Sequence, residues 1–179
     1  WDARTRTATT GRGEELAWDA LVLATGATPR MLPGWEHAHV LRTLADAARL
    51  RQRLSPGARV AVVGAGFVGT EVASTALALG CSVQLLDVAP APLERVLGPE
   101  VGALLAARYT DAGVELRLGA PVDPAQLEAD AVLLAVGVTV DPIPTDACGH
   151  TETPGVYAAG DVAEAWHPLL GRPLRVEHW

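Results

Sequence analysis

The fold is decided by the stretch RVAVVGAGFVG, which runs from Arg59 to Gly69. Its opening residues are small or β-branched and apolar, as in a buried strand. The glycines lead into the alanine-rich segment 70–79, which predicts a packed helix that Gly80 ends. A strand, a glycine turn and a helix in this order are typical of a nucleotide-binding unit.

The periodic pattern continues beyond this first helix. We expect a second strand over 82–87, a second helix that starts near Pro99 and stops at Gly113, and a third strand over 114–118. The predicted buried face of that helix consists of Val101, Leu104, Leu105 and Tyr109. Strands and helices that alternate at these lengths imply parallel strand pairing, and therefore one dinucleotide-binding half.

Upstream of the glycine stretch, residues 41–54 predict an amphipathic helix. Thr43 and Asp46 form a plausible capping pair at its start. The predicted buried stripe consists of Leu44, Ala47, Ala48, Leu50 and Leu54. We interpret this segment as a linker helix that packs on the sheet.

Composition and charge exclude several classes of function. The 179 residues carry a net charge of −7, which disfavours a nucleic-acid partner. All 14 basic residues are arginine, so a Schiff-base or P-loop lysine is excluded. No apolar run is long enough to span a membrane. Cys81 and Cys148 are far apart, so we expect buried structural thiols in a reducing cytoplasm.

An internal repeat relates residues 16–28 to residues 127–139. Each copy has an acidic turn, an apolar strand and an exit of small residues. The second copy closes the unit that the glycine stretch opens. We therefore expect the first copy to close a similar unit, with the chain beginning inside a first nucleotide domain.

The three glycines predict a pyrophosphate site. Gly64 permits the tight turn, Gly66 lets the backbone approach a phosphate, and Gly69 lets helix and strand pack closely. The N-terminus of the helix, with Phe67 and Val68 in its first turn, offers N–H groups to the phosphates. The alternative is a glycine turn that binds no ligand.

Asp87 ends the second predicted strand, 23 residues after Gly64. A carboxylate at this position binds the adenosine ribose hydroxyls in dinucleotide sites. It also repels a 2′-phosphate, and residues 88–91 contain no basic side chain. The sequence therefore predicts NADH in preference to NADPH.

The stretch VYAAGDV, residues 156–162, is the second chemical motif. Its small residues would place the carboxylate of Asp161 in a cleft, where it could accept hydrogen bonds from sugar-alcohol hydroxyls. The alternative is that Asp161 caps the following helix.

The sequence resembles the FAD-dependent pyridine nucleotide-disulfide oxidoreductase superfamily, and within it the ferredoxin reductases of the putidaredoxin reductase type. Those enzymes serve cytochromes P450 and ring-hydroxylating dioxygenases. The residues that carry the resemblance are 24–26 with Pro29 and Arg30, 41–44, 64–71, 93–98, 157–162 and 177–179.

The resemblance implies a role for particular residues. Thr25, Gly26 and Arg30 match a segment that contacts FAD, and Asp161, after Gly160, matches the carboxylate on the ribityl chain. Glu71 matches a glutamate near the nicotinamide, which makes it the candidate catalytic residue. Gly137 matches a glycine of the NAD site, and Trp179 matches a tryptophan beside the flavin. Without the resemblance, Glu71 reads as a first-turn helix residue and Trp179 as a core aromatic.

The sequence also departs from the family pattern. The glycine fingerprint of the FAD domain and the family's third domain are absent, and the segments 122–130 and 141–153 are short. We therefore expect this chain to bind FAD weakly or not at all. The cysteines do not match the redox-active pair of the disulfide reductases. His37, His39, His150 and His167 show no metal-like grouping, so we expect no metal site.

The predicted fold class is α/β, a three-layer Rossmann-like NAD domain with part of a second, FAD-binding domain. We assign residues 1–40 to the FAD domain, 41–140 to the NAD domain and 141–179 to a return segment of the FAD domain. The leading hypothesis is transfer of electrons from NADH through FAD to a ferredoxin-type iron–sulfur protein. The rivals are a non-catalytic NAD-binding fragment and a related flavoenzyme, such as a nitrite reductase subunit or an apoptosis-inducing-factor-like protein.

Overall fold

The computed structural model describes residues 1–175, which form two compact units. One unit is continuous and runs over residues 29–138. The other combines residues 1–28 with the chain from Thr139 onward. The sequence interpretation placed the first junction after residue 40. Residues 29–40 belong to the continuous unit because Trp35 is buried in its core.

The described elements follow one another along the chain with short connections. The helices are α1 (Leu44–Arg51), α2 (Phe67–Ala78) and α3 (Glu94–Asp111), with 3₁₀ turns at Pro124–Gln126 and Gly160–Val162. The strands are β1 (Thr7–Thr9), β2 (Glu15–Ala17), β3 (Leu21–Leu23), β4 (Thr28–Pro29), β5 (Arg59–Val63), β6 (Ser82–Asp87), β7 (Glu115–Leu118), β8 (Ala131–Leu134), β9 (Val138–Thr139), β10 (Ile143–Thr145), β11 (Val156–Ala158), β12 (Ala163–His167) and β13 (Arg172–Leu174). None of the helices within residues 1–175 has the length and apolar character needed to cross a bilayer.

The continuous unit is built on a four-stranded parallel sheet in the order β7-β6-β5-β8. Val60 of β5 lies opposite Val83 on one side and Ala131 on the other. This order is that of a dinucleotide-binding half, and it confirms the parallel pairing expected from the sequence. The boundaries of β5 and β6 agree with those predicted.

Both faces of this sheet are buried, as expected for parallel strands with short apolar sequences. Val62 and Leu133 point to the face that packs against α1 and α2. Ala61 and Leu134 point to the opposite face, where Trp35 covers them. Strand β5 contributes side chains to both core clusters, so the strand that leads into the glycine loop is packed on both faces.

Helix α1 begins with the predicted capping box but is shorter than expected. Thr43 Oγ1 accepts the backbone N–H of Asp46 at 3.1 Å, and Asp46 Oδ2 accepts the backbone N–H of Thr43 at 2.8 Å. Asp46 also pairs with Arg49. Leu50 and Leu54 are buried as predicted, whereas Leu44 is 86% exposed because it lies in the first turn, facing away from the sheet.

Helix α3 differs from the prediction at its start and on its buried face. It begins at Glu94, and Gly98 interrupts it with a φ of 83° before Pro99 continues it. Val101 and Leu104 are exposed, contrary to the predicted apolar face, whereas Leu105 is half-buried and Tyr109 packs against the core as predicted. The helix packs through Gly102 instead, where a Cβ would lie 2.9 Å from that of Ala91. Close backbone packing at Gly102 therefore takes the place that the prediction gave to Val101 and Leu104.

The discontinuous unit contains smaller pairs of strands. β3 and β11 are parallel neighbours, β1 and β2 form an antiparallel pair, and β12 lies between β10 and β13. Cys148 of this unit is exposed, whereas Cys81 of the continuous unit is buried. The expectation of two buried thiols was therefore wrong for Cys148, which lies in a surface turn.

Candidate dinucleotide site

A cleft of about 360 Å³ opens at the carboxyl ends of β5, β6 and β8. All of its lining residues belong to the continuous unit. Ligands of open parallel sheets bind at this edge. The lining residues used below are Gly64, Gly66, Asp87, Arg95, Val136 and Gly137.

The three glycines of the loop have different structural roles. Gly64 has a φ of +106°, and a Cβ there would lie 2.2 Å from the carbonyl oxygen of Ala135. A Cβ on Gly69 would lie 1.8 Å from the carbonyl oxygen of Gly64. Both positions must be glycine for the chain to fold in this way.

Gly66 lacks a side chain for a different reason. A Cβ there would meet no atom of the described residues within 4 Å, and its φ of −79° suits any residue. Neither packing nor backbone conformation of the described residues requires glycine at this position. The space is therefore available to a ligand that approaches the backbone closely.

The start of α2 faces this space. Gly66 is the N-cap residue, and no side chain caps the helix within the described part of the chain. Phe67 and Val68 in the first turn are 39% and 41% exposed. The partial positive charge of the helix N-terminus is therefore accessible to an anion such as a pyrophosphate.

The end of β6 contributes a carboxylate whose orientation is fixed. Asp87 Oδ2 accepts the backbone N–H of Ala65 at 2.6 Å, and Oδ1 accepts that of Ala89 at 2.8 Å. Each carboxylate oxygen retains a lone pair for a further donor. A sugar diol above the glycine loop could donate to this group.

The sequence analysis missed a positively charged side chain of the cleft, that of Arg95. Arg95 is exposed at the start of α3 and lines the same cavity as Asp87. The sequence analysis looked for basic side chains only at residues 88–91, directly after β6. Arg95, farther along the chain, also lines the cleft. The site thus presents an arginine and a carboxylate together.

The exit of β8 completes the cleft. Gly137 has a φ of +96°, and a Cβ there would meet none of the described atoms within 4 Å. Its carbonyl oxygen accepts the backbone N–H of Arg30 at 2.9 Å. The repeat partner of Gly137, Gly26, also has positive φ, at 72°. The internal repeat is therefore present in the backbone as well as in the sequence.

Two of the residues matched to FAD, Thr25 and Asp161, follow neighbouring strands of the discontinuous unit. Thr25 follows β3, and Asp161 follows β11. Because these strands are parallel neighbours, their carboxyl ends lie at the same edge, and Ala159 N–H donates to the carbonyl oxygen of Leu23 at 3.0 Å. Asp161 lies inside the 3₁₀ turn, whose N-cap residue is Ala159. The alternative that Asp161 caps a following helix was therefore wrong.

Other predicted residues lie outside these groups. Glu71 is exposed on α2, beyond its first turn, and does not line the cleft. The side chain of Arg30 is exposed in the continuous unit. Trp179 lies outside the described residues.

The profile of the family described as pyridine nucleotide-disulphide oxidoreductase matches residues 2–178. The chain belongs to this family. The parallel sheet, the glycine loop and the acidic strand end are the local features through which the family membership is visible in the structure.

Relatives within the family are ferredoxin reductases. The chain is 35% identical to the ferredoxin–NAD(+) reductase component of the p-cumate 2,3-dioxygenase system of Pseudomonas putida, over 99% of this chain and 51% of the relative. It is 37% identical to the corresponding component of the anthranilate 1,2-dioxygenase system of Burkholderia cepacia, over 93% of this chain and 49% of the relative. The chain spans about half the length of these relatives.

A solved structure supports the same placement in the family. The covalent putidaredoxin reductase–putidaredoxin complex superposes with a TM-score of 0.89 at 32% identity, over 98% of this chain and 51% of that chain. The alignment with the p-cumate relative runs over 207 positions, more than the 179 residues of this chain. The relative therefore has internal residues without a counterpart here.

Proposed function

We propose that the chain provides NAD- and FAD-binding parts of an NADH-dependent ferredoxin reductase. The observation that carries the proposal is the open glycine loop beside the oriented carboxylate of Asp87. The overall reaction would be NADH plus two oxidised ferredoxins, giving NAD⁺, a proton and two reduced ferredoxins.

The continuous unit supplies the groups expected to bind NADH. The backbone at Gly66 and the N-terminus of α2 would receive the pyrophosphate. Asp87 would accept hydrogen bonds from the ribose hydroxyls, and Arg95 would lie near the phosphates. Gly137 leaves room for the nicotinamide half at the other end of the cleft. Glu71, which lies farther along α2, is the candidate residue beside the nicotinamide.

The discontinuous unit supplies groups that fit a flavin. Thr25 and Gly160 are exposed, and a Cβ on Gly160 would meet none of the described atoms within 4 Å. Asp161 at the same strand edge would accept hydrogen bonds from the ribityl hydroxyls. Thr25 and Gly26 would contact the flavin, with Trp179 as the candidate aromatic beside it. Arg30, the third residue of the segment matched to FAD, belongs to the continuous unit and stays a candidate through the resemblance alone. FAD, when bound, supplies the conversion between a two-electron donor and a one-electron acceptor.

The partner would be a ferredoxin-type iron–sulfur protein. Two relatives are ferredoxin–NAD(+) reductase components, and one solved neighbour is a complex with putidaredoxin. The net charge of −7 argues against a nucleic-acid partner. We place the reaction in the cytoplasm, where NADH is available and the two thiols would stay reduced.

Isothermal calorimetry of the chain with NADH, followed by NADPH, tests the proposed cofactor. We expect NADH binding at one site per chain and weaker binding of NADPH. The flavin-to-protein ratio of the purified chain, together with reduction of added ferredoxin by NADH, tests the reductase activity. Binding of NADH with little or no flavin is the result that we expect of this chain by itself, so ferredoxin reduction is assayed with added FAD. No reduction of ferredoxin under those conditions would favour the non-catalytic alternative. No NADH binding by the folded chain would overturn the proposal.

A further inference from the structure

A turn of the discontinuous unit brings together three side chains that can bind a metal ion. Asp146, Cys148 and His150 lie between β10 and β11, and one ligand atom of each lies within 4.8 Å of those of the other two. All three side chains are exposed. The sequence interpretation found no metal-like grouping among the histidines and expected no metal site.

The backbone of the turn holds these side chains on one side. Asp146 N–H donates to the carbonyl oxygen of His150 at 3.0 Å. Asp146 Oδ1 accepts the backbone N–H groups of Cys148 at 2.8 Å and of His150 at 2.9 Å. Alternate residues, at 146, 148 and 150, therefore converge. The turn depends on Gly149, whose φ is +82°.

The neighbouring strand fixes the turn further. Ala158 N–H donates to the carbonyl oxygen of Gly149 at 2.9 Å. His150 forms an antiparallel bridge with Tyr157, and the two ring centroids lie 4.9 Å apart. Little conformational entropy would therefore be lost when a cation binds, because the backbone is already ordered.

The ligand types select the class of metal ion. A thiolate, an imidazole nitrogen and a carboxylate oxygen suit Zn²⁺, whereas Mg²⁺ and Ca²⁺ prefer oxygen ligands only. Metal–ligand lengths of about 2.0–2.3 Å place tetrahedral ligands roughly 3.3–3.8 Å apart. Asp146 Oδ2 and His150 Nδ1 are 2.8 Å apart and share a hydrogen bond, which a bound metal ion would replace. The ligand atoms, all within 4.8 Å of one another, would have to close to this spacing as the metal ion takes the place of that hydrogen bond.

We propose that Asp146, Cys148 and His150 form a Zn²⁺ site with a fourth position open to water. Binding would release the thiol proton of Cys148 to solvent, and the oxidation state of the metal would not change. The three residues belong to the discontinuous unit and none of them lines the cleft of the continuous unit, so the proposal does not rest on the proposed reductase function.

A cobalt titration of the purified full chain tests this site. Co²⁺ replaces Zn²⁺ in such sites and reports a bound thiolate through a charge-transfer band in the near ultraviolet. We expect one Co²⁺ per chain, with this band, and displacement of the Co²⁺ by added Zn²⁺. Absence of the band in the folded chain would overturn the proposal.

Matched variants identify the ligands. Cys148→Ser should abolish the band, and His150→Gln should weaken Co²⁺ affinity about tenfold or more. Cys81→Ala, which removes the other thiol, should keep both band and affinity, and so should His37→Gln at another exposed histidine. Circular dichroism checks the fold of each variant. A band that persists in Cys148→Ser, or an unchanged affinity in His150→Gln, would show that the metal binds elsewhere.

Discussion

The carboxylate of Asp87 accepts the backbone N–H of Ala65 at 2.6 Å, and this bond ties the end of β6 to the glycine loop. The other carboxylate oxygen accepts the N–H of Ala89. The same side chain therefore shapes the loop and presents a negative charge to the cleft. Any change at residue 87 is expected to alter both the loop and the choice of cofactor.

Replacing this charge should change the cofactor preference. The double variant Asp87→Ser with Val88→Arg should raise the affinity for NADPH relative to NADH by about tenfold or more, because repulsion of the 2′-phosphate is removed and an attraction is added. Val88 is suitable because it is 53% exposed, whereas Ala91 is buried against α3 and would not accept an arginine. Calorimetry with both cofactors measures the ratio. An unchanged ratio would mean that Asp87 does not face the ribose.

Substitutions at two glycines of the loop are expected to affect different properties, NADH binding at Gly66 and folding at Gly69. Gly66→Val should leave the chain folded and abolish NADH binding, because its side chain would fill space that the described residues leave empty. Gly69→Ala should instead impair folding, since its Cβ would collide with the carbonyl oxygen of Gly64. Calorimetry and circular dichroism measure the two effects. Normal NADH affinity in folded Gly66→Val would refute the pyrophosphate assignment.

The break in α3 depends on a backbone conformation that is essentially restricted to glycine. Gly98 has a φ of 83° and a ψ of 167°. Gly98→Ala should lower the free energy of unfolding by about 1–3 kcal/mol through backbone strain, because the site itself is open. Urea unfolding followed by helical circular dichroism measures the change.

Gly66→Ala is the control for this experiment. It adds the same methyl group to an open site of the same unit, but at a φ of −79°. We expect a smaller loss of stability than for Gly98→Ala. Equal losses in the two variants would mean that the backbone at Gly98 relaxes without strain.

The capping box of α1 should make stability depend on pH. Hydrogen bonds from the side chain and backbone of Thr43 lower the pKa of Asp46 below its ordinary value. A lowered pKa in the folded state stabilises the fold above the unfolded value of about 4, and this contribution disappears as pH falls through the folded value.

The variant Asp46→Asn measures this contribution. It should be less stable than the parent chain at neutral pH, and the difference should shrink as the pH falls below about 4. Urea unfolding at several pH values gives the two curves. A difference that is constant over this range would show that the charge of Asp46 does not stabilise α1.

Much of the continuous unit could be predicted because its signals are local. The limits of β5 and β6 follow from short apolar runs between glycine and polar residues, and the start of α1 follows from the Thr43–Asp46 pair. The glycine loop was predictable for the same reason, since its spacing reflects contacts within one turn.

Features that depend on distant packing could not be predicted in this way. Part of the buried face of α3 was misassigned because the helix packs closely against Ala91 at Gly102. A search for periodic apolar side chains cannot detect a contact that a glycine makes. Arg95 was missed because it enters the cleft through the path of the loop that follows β6. The cluster at Asp146, Cys148 and His150 was missed because a turn, rather than a helix or strand, sets its spacing.

The paired strands β4 and β9 lie where the chain enters and leaves the continuous unit. Both ends of residues 29–138 therefore meet at one point, joined by the bond from Arg30 N–H to the carbonyl oxygen of Gly137. An insert whose ends adjoin can be gained by a host domain without separating the strands that flank it. Because its two ends adjoin, we expect that residues 29–138 could be expressed as a separate domain. They could also be circularly permuted by linking the two ends.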